Sequence, residues 1–256
     1  MLWYKSWLET RWRFLIGLIV LVCSAAGVVI IHPKLMKLMP LAPDLHLGGE
    51  LGRQVREALE LARDYHGYIW LNWFRQNLSQ LGTLFAILLG TGGLLSQPSG
   101  SAALFTLSLP ASRNRLLGVR AAFGLAELFV LAFVPSLVIP LLSPAVGESY
   151  GVGSALMFGI GAFFGMSVFF ALAFLLSTFF IDLWRPLLIA LGVAITISIA
   201  EQFSRHLGQH YGIFHLMHGE TYFRTGELPW TGLLASAALS AALYFIATRN
   251  MVRRDF

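Results

Sequence analysis

Long apolar runs separated by short polar segments extend along the whole chain. About 18 or more apolar residues in a row are enough to cross a bilayer as a helix. Neither a linker rich in Gly, Ser or Pro nor a change in composition divides the sequence, so residues 1–256 are predicted to form one all-helical membrane domain. We predict six transmembrane helices, at residues 14–31, 78–95, 121–142, 155–180, 186–200 and 231–248.

Residues 1–13 precede the first apolar run and differ from it in pattern. Trp3, Trp7 and Leu8 recur at helical spacing, with most of the charged residues opposite them. This pattern predicts an amphipathic helix lying on the inner membrane surface. The 18-residue run at 14–31 exceeds the apolar core of a signal peptide, which spans about 7–15 residues. We therefore expect an uncleaved anchor.

A second amphipathic pattern lies between the first two spans, in the segment 32–77. Leu51, Val55 and Leu59 fall on one helical face, with charged residues on the others. The segment is predicted to be extracytoplasmic and to contain a solvated helix that covers the bundle. A role in gating a substrate is the alternative.

The composition agrees with a membrane protein and excludes several other classes. Apolar residues make up 57% of the chain, charged residues 12%, and the mean hydropathy is +0.70. Soluble domains carry about 25% charged residues. The single cysteine, Cys23, excludes an internal disulfide framework and a CxxC redox pair. No Gly-Lys pair occurs, so the chain lacks the loop with which P-loop proteins bind ATP.

The basic residues predict the orientation of the chain. With the N-terminus inside, the inner segments hold ten Lys and Arg against three acidic residues, and the outer segments hold eight against nine. Short inner loops are enriched in Lys and Arg. Both termini are therefore expected in the cytoplasm, with the chain in the cell (inner) membrane. The same placement accounts for the net charge of +5 and the pI near 9.7 without a nucleic-acid partner.

The loop between the second and third spans carries the most specific motif. Residues Leu107–Arg113 read Leu-Ser-Leu-Pro-Ala-Ser-Arg, with Pro110 ending one short helix and Ser112 placed to cap the next. This loop resembles that of the membrane permease of type-2 ATP-binding-cassette (ABC) exporters, in which Leu-Leu-Ser-Leu-Pro-x-Ser-Arg follows a Gly-Thr pair. Gly100-Ser101 stands at the Gly-Thr position. The acidic residue usual before that glycine is absent, and Gln97-Pro98-Ser99 takes its place.

The resemblance implies a transporter half rather than an enzyme. Two permeases, as a homodimer or a heterodimer, would assemble in the bilayer and bind two separate ABC ATPase subunits. ATP and Mg would lie on those subunits, and this chain would need no cofactor of its own. The residues that the resemblance assigns to a cytoplasmic coupling helix and its base are Gly100, Ser101, Leu107, Leu109, Pro110, Ser112, Arg113 and Arg115.

A second cytoplasmic contact is implied at Asp182 and Arg185, in the short loop before the fifth span. A plain membrane turn is the equal alternative, because Pro186 is well suited to the first turn of a helix. Gly161 and Gly165 form a GxxxG motif in the fourth span, which predicts close helix packing within the subunit or between two copies.

Glu127 is the one ionisable residue deep inside a predicted span. Such residues are rare and usually face a partner or a wet cavity. Glu127 is therefore a candidate for the transport path, and a structural hydrogen bond between helices is the alternative.

The outer loop after the fifth span is rich in histidine. His206 and His210 are four residues apart and are weak candidates for metal ligands, with His215 and His218 nearby. A membrane-embedded metal-dependent hydrolase built on this region is one alternative to the permease. A membrane anchor that transports nothing is another. The sequence does not indicate the substrate.

Overall fold

The computed structural model describes residues 2–38, 61, 63–92, 113–180, 182–206 and 212–252. Every regular element among them is helical, as the sequence predicts. The helices are α1 Leu2–Leu38, α2 Tyr65–Ile69, the π segment Trp70–Leu78, α3 Ser79–Gly90, α4 Arg113–Leu142, α5 Val152–Leu176, α6 Trp184–His206, α7 Ile213–His218, α8 Glu220–Thr225 and α9 Trp230–Val252. A short 3-10 turn, Ser143–Val146, follows α4.

The helix α5 lies at the centre of the bundle. Of its most apolar 18 residues 72% are buried, against 11% for α6 and 17% for α9. It contacts α3, α4, α6, α7 and α9, while α1 packs on α4 and α3. The core is therefore organised around α5, and α6 lies at the periphery.

Glycines allow the close approach of helices around α5. Gly82 and Gly90 of α3 lie against Met166 and the Phe170 backbone of α5. The GxxxG pair of α5, Gly161 and Gly165, lies against α7. The predicted packing role of this motif is confirmed, and the partner is a helix of the same chain.

The two ends of the bundle are defined by contacts between distant segments. At one end, Arg13 of α1 contacts the carbonyl of Thr91, which follows α3. We call this the loop end, because residues 93–112 follow directly. At the other end, the far end, the rings of His32 and Tyr65 lie 4.8 Å apart and the hydroxyl groups of Tyr65 and Ser143 lie 2.7 Å apart.

Five helices in the described part of the chain are long and apolar enough to cross a membrane: α1, α4, α5, α6 and α9. These helices are compatible with a multi-pass membrane protein. The predicted span at 78–95 is not among them. There the chain forms α3, of 12 residues, preceded without a break by the π segment and α2.

One other boundary differs from the sequence prediction. The predicted interfacial helix at 1–13 is not a separate element, because Leu2–Leu38 is one continuous helix. At 1.5 Å per residue such a helix is about 55 Å long, which exceeds the hydrocarbon core of a bilayer. The amphipathic helix predicted within 32–77 is centred on residues outside the described part of the chain.

The packing of α7 on α5 can be tested at Gly161. A Cβ atom there would lie 2.7 Å from the carbonyl oxygen of Leu216, so α7 must move. We expect Gly161→Ala to lower the free energy of unfolding in detergent by about 1–3 kcal/mol, the usual cost of overpacking. Gly192→Ala in α6 is the matched control, because no atom lies within 4 Å of its Cβ position. Equal losses in the two variants would contradict this packing.

Candidate functional site: the loop end of the bundle

The loop end contains a hydrogen bond network that links three helices. Arg13 of α1 donates from Nη1 to the carbonyl oxygens of Leu88, at 3.0 Å, and Thr91, at 2.8 Å. These carbonyls belong to the last turn of α3 and to the residue after it, where the helix has no partners of its own for its backbone oxygens. A cation at this position is also favoured by the helix dipole. Arg13 therefore fixes the end of α3 two residues before residue 93.

An ion pair links α1 to the helix on the other side of that loop. Nη1 of Arg120, in α4, lies 2.6 Å from Oε2 of Glu9, in α1. The Arg120 side chain is only 12% exposed, so solvent screens this pair less than a surface pair. Together, Arg13 and Glu9 connect α1 to both helices that flank residues 93–112.

Gly92 lies beside the guanidinium groups of both Arg13 and Arg120. A Cβ atom on this residue would lie 3.1 Å from Nη2 of Arg120 and 3.2 Å from Nη1 of Arg13. Its φ of +100° is in the region that favours glycine. Both the positive φ and the two guanidinium groups therefore favour glycine where the chain leaves α3.

The second predicted contact lies beside Gly92. The Leu183 side chain is 3.6 Å from the Cβ position of Gly92, so residues 182–185 adjoin the base of the loop. Asp182 and Arg185 form a salt bridge of 3.4 Å with both side chains exposed. These two exposed residues therefore lie at the same end of the bundle as Gly92.

The predicted coupling residues divide into two groups. Arg113 is the first residue of α4, and the Arg115 side chain is exposed one turn from the loop. The remaining predicted coupling residues, which lie outside the described part of the chain, are Gly100, Ser101, Leu107, Leu109, Pro110 and Ser112.

Glu127 lies between α1 and α4. Its Oε1 atom is 2.6 Å from Oγ1 of Thr10, and the residue is only 4% exposed. Its Oε2 atom is buried and has no hydrogen bond partner among the described residues. This position fits the structural alternative, in which Glu127 forms a hydrogen bond between helices. A role for Glu127 in the transport path remains a prediction.

The far end contains a second network, in the loop that the sequence marks by its histidines. Oε1 of Glu201, in α6, accepts the backbone N–H of Phe214 at 3.1 Å, and Oε2 accepts that of His215 at 3.0 Å. Both N–H groups belong to the first turn of α7, where a helix supplies no carbonyl partners of its own. Glu201 therefore caps a helix that is separate from its own.

The other contacts of this region are also structural. Nδ1 of His215 lies 3.4 Å from Oε2 of Glu220, and the indole N–H of Trp70 donates to the carbonyl of His218 at 2.8 Å. Within the part of the chain that the structure describes, no group of three or more His, Cys, Asp and Glu is placed to bind a metal. The His206 side chain and His210 lie outside that part, so their metal-binding role remains a prediction.

The sequence prediction includes Glu9, Arg13 and Arg120 among the charges that orient the chain and assigns them no partners. Their positions near the ends of apolar runs are the one signal available, and that signal does not identify their partners. The carbonyls bound by Arg13 are about 75 residues away along the chain. Contacts between residues so far apart in sequence can be identified only from the folded structure.

Comparison of the chain with protein-family models, with curated proteins and with solved structures found no match. The resemblance to exporter permeases therefore depends on residues of this chain alone, above all Leu107–Arg113.

The link between Arg13 and α3 can be tested by Arg13→Gln. Because the bonds from a charged donor are lost, we expect the free energy of unfolding in detergent to fall by about 1.5–3 kcal/mol. Arg11→Gln removes the same charge two residues earlier, where the guanidinium lies 5.6 Å from the Trp12 ring. We expect a loss below about 1 kcal/mol there. Equal losses would assign the effect to charge rather than to the carbonyls of α3.

The cap at the far end can be tested by Glu201→Ala. We expect hydrogen exchange at the Phe214 and His215 amides to accelerate roughly fivefold, as loss of a cap worth about 1 kcal/mol predicts. Gln202→Ala is the control, because that neighbouring side chain is exposed. Unchanged exchange in Glu201→Ala would show that the carboxylate does not stabilise α7.

Proposed function

We propose that the protein is the transmembrane permease subunit of an ABC exporter, driven by ATPase subunits on separate chains. The observation that carries this proposal is the motif Leu107–Arg113, together with its place between α3 and α4. An element joining two helices of the bundle is suited to transmit a displacement from a docked protein to both. No second function is favoured by a contact in the described residues.

The network at the loop end supports a path for that displacement. A movement of residues 93–112 acts directly on the end of α3 and the start of α4. The bonds of Arg13 to Leu88 and Thr91 and the Glu9–Arg120 pair then extend it to α1. Asp182 and Arg185 would give the ATPase a second contact beside Gly92. In this proposal, ATP-driven closure of the ATPase subunits alternately opens the two ends of the permease.

The proposal includes the topology and assembly inferred from the sequence. The loop end faces the cytoplasm, with both chain termini on that side of the cell membrane. The helical run Tyr65–Gly90 provides the sixth pass, alongside the five long apolar helices. A second permease copy completes the transporter, and the helices with the least buried apolar windows, α6 and α9, are available to contact lipid or that copy.

A pull-down tests the proposal directly. Full-length protein is solubilised in detergent from its native membrane and compared with the double variant Leu109→Asp, Arg113→Glu. We expect an ATP-hydrolysing subunit to copurify with the wild type and to be lost from the variant, because an apolar contact is removed and a charge is reversed. The readouts are the mass-spectrometric identity of the partner and the ATPase activity of the eluate.

The matched control carries the same two chemical changes at the far end, Lys34→Glu and Leu35→Asp, where both side chains are exposed. This control should retain the ATPase. Both variants must first elute as folded protein on gel filtration. Absence of any ATPase from the wild type, or equal loss from the two variants, would contradict the proposal.

A further inference from the structure

A cleft of about 560 Å³ opens at the far end, between the π segment, the second half of α6 and α7. Its size lies within the roughly 300–1,000 Å³ of typical small-molecule sites. Of the ten lining residues that the structure describes, eight are polar, although the cleft lies among apolar helices. Such a polar surface needs an explanation in a chain with 57% apolar residues.

The second half of α6 forms one wall of the cleft. Pro186, Ala190 and Ala194 are buried at four-residue spacing, and these small or compact residues place the first half of α6 against the bundle. No residue from 195 to 200 is buried. The second half of α6 is therefore less buried than the first, and its Ser198 and Gln202 line the cleft.

The π segment forms the opposite wall. π-helical turns are rare and frequently occur at functional sites. This segment buries Trp73 and Phe74 completely on one side. On its other side and at the start of α3, Gln76 and Gln80 line the cleft. The wide turn thus combines an aromatic core face with a polar face.

The walls are fixed to one another by the contacts at the far end. Glu201 of α6 caps α7, and the indole of Trp70, in the π segment, donates to the His218 carbonyl at the end of α7. The Trp70 ring is also stacked on Phe223 at 4.4 Å. The cleft is therefore bounded by elements that are mutually hydrogen bonded.

The chemistry of the walls indicates what the cleft binds. Among the lining residues that the structure describes, the charged ones are Arg75 and Glu201, one of each sign, so this lining carries no formal net charge with histidine neutral. Three glutamines, Gln76, Gln80 and Gln202, each offer two donors and one acceptor. A purely apolar ligand would bury these amides without partners, which is costly. Hydroxyl groups both donate and accept hydrogen bonds, so they can pair with the donors and the acceptor of each glutamine amide.

We infer that the far-end cleft binds a neutral group with several hydroxyls, such as a sugar. The group is either the headgroup of a lipid, whose chains lie along the exposed apolar side chains Ile195 and Ile199 of α6, or a free saccharide. This inference concerns binding and does not depend on an ATPase. If no ATPase copurifies and binding is observed, the cleft is a binding site and the exporter proposal alone fails.

Protection of a cysteine from a charged maleimide tests the inference. The native Cys23 is exposed and is replaced in a Cys23→Ser background. Ser198→Cys then reports on the cleft, and Glu227→Cys reports on an exposed position at the same end. The full chain is placed in phosphatidylcholine nanodiscs. The probes are added maltose and, separately, nanodiscs containing diglucosyl diacylglycerol.

We expect a sugar probe at ten times its Kd to slow labelling of Ser198→Cys about tenfold, since only unoccupied clefts react. Glu227→Cys should be unaffected. Protection by the glycolipid alone identifies a lipid headgroup, and protection by maltose identifies the saccharide itself. Gln76→Leu with Gln202→Leu should weaken protection, with roughly a fivefold loss of affinity for each amide. Thr196→Val, an exposed polar residue of α6 outside the cleft, should not.

Three results would overturn the inference. They are absence of protection by both sugar probes, equal protection of the cleft and control cysteines, and equal protection by nanodiscs containing anionic phosphatidylglycerol in place of the glycolipid. The double leucine variant must remain folded in the nanodisc, as judged by gel filtration and unaltered labelling of Glu227→Cys. Protection that persists fully in that folded variant would also overturn it.

Discussion

Close approach of helices to α5 is the constraint on which this fold depends. Lipid tails are as apolar as leucine, so helices in a bilayer gain little from burying apolar side chains against one another and associate through close packing and hydrogen bonds. Here the backbones approach where glycines of α3 meet α5 and where glycines of α5 meet α7. The large aromatic side chains then fill the space that remains, with Phe169 and Phe174 fully buried.

At both ends of the bundle, side chains bind the backbone groups for which a helix terminus supplies no partners of its own. Arg13 binds carbonyls at the end of α3, Glu201 binds N–H groups at the start of α7, and Trp70 binds a carbonyl at the end of α7. In each case the partner side chain comes from another element. The same contacts therefore provide hydrogen bonds to the backbone groups at helix ends and hold the helices in their arrangement. At the far end, burial also raises the pKa of Tyr150, whose ring is stacked with those of His66 and Phe74.

The sequence was sufficient for the helical class, for most of the apolar segments and for the packing role of Gly161 and Gly165, because these depend on local composition and periodicity. It was not sufficient to predict where the helices begin and end or which residues distant in sequence are in contact. The separate interfacial helix predicted at residues 1–13 is absent, because Leu2–Leu38 form one continuous helix. The π segment has no signal in a periodicity analysis that assumes 3.6 residues per turn. The pairing of Glu127 with Thr10, 117 residues away, is a tertiary contact.

The helix α6 is attached to the bundle unequally along its length. In its first half, Pro186, Ala190 and Ala194 are buried, whereas in its second half Ile197 is only partly buried against the core and Glu201 binds the start of α7. A change in the width of the cleft therefore requires α6 to move relative to α7, and α7 is itself packed on Gly161 and Gly165 of α5. The far end is thus coupled to the centre of the bundle, because its short helix contacts both the peripheral α6 and the central α5.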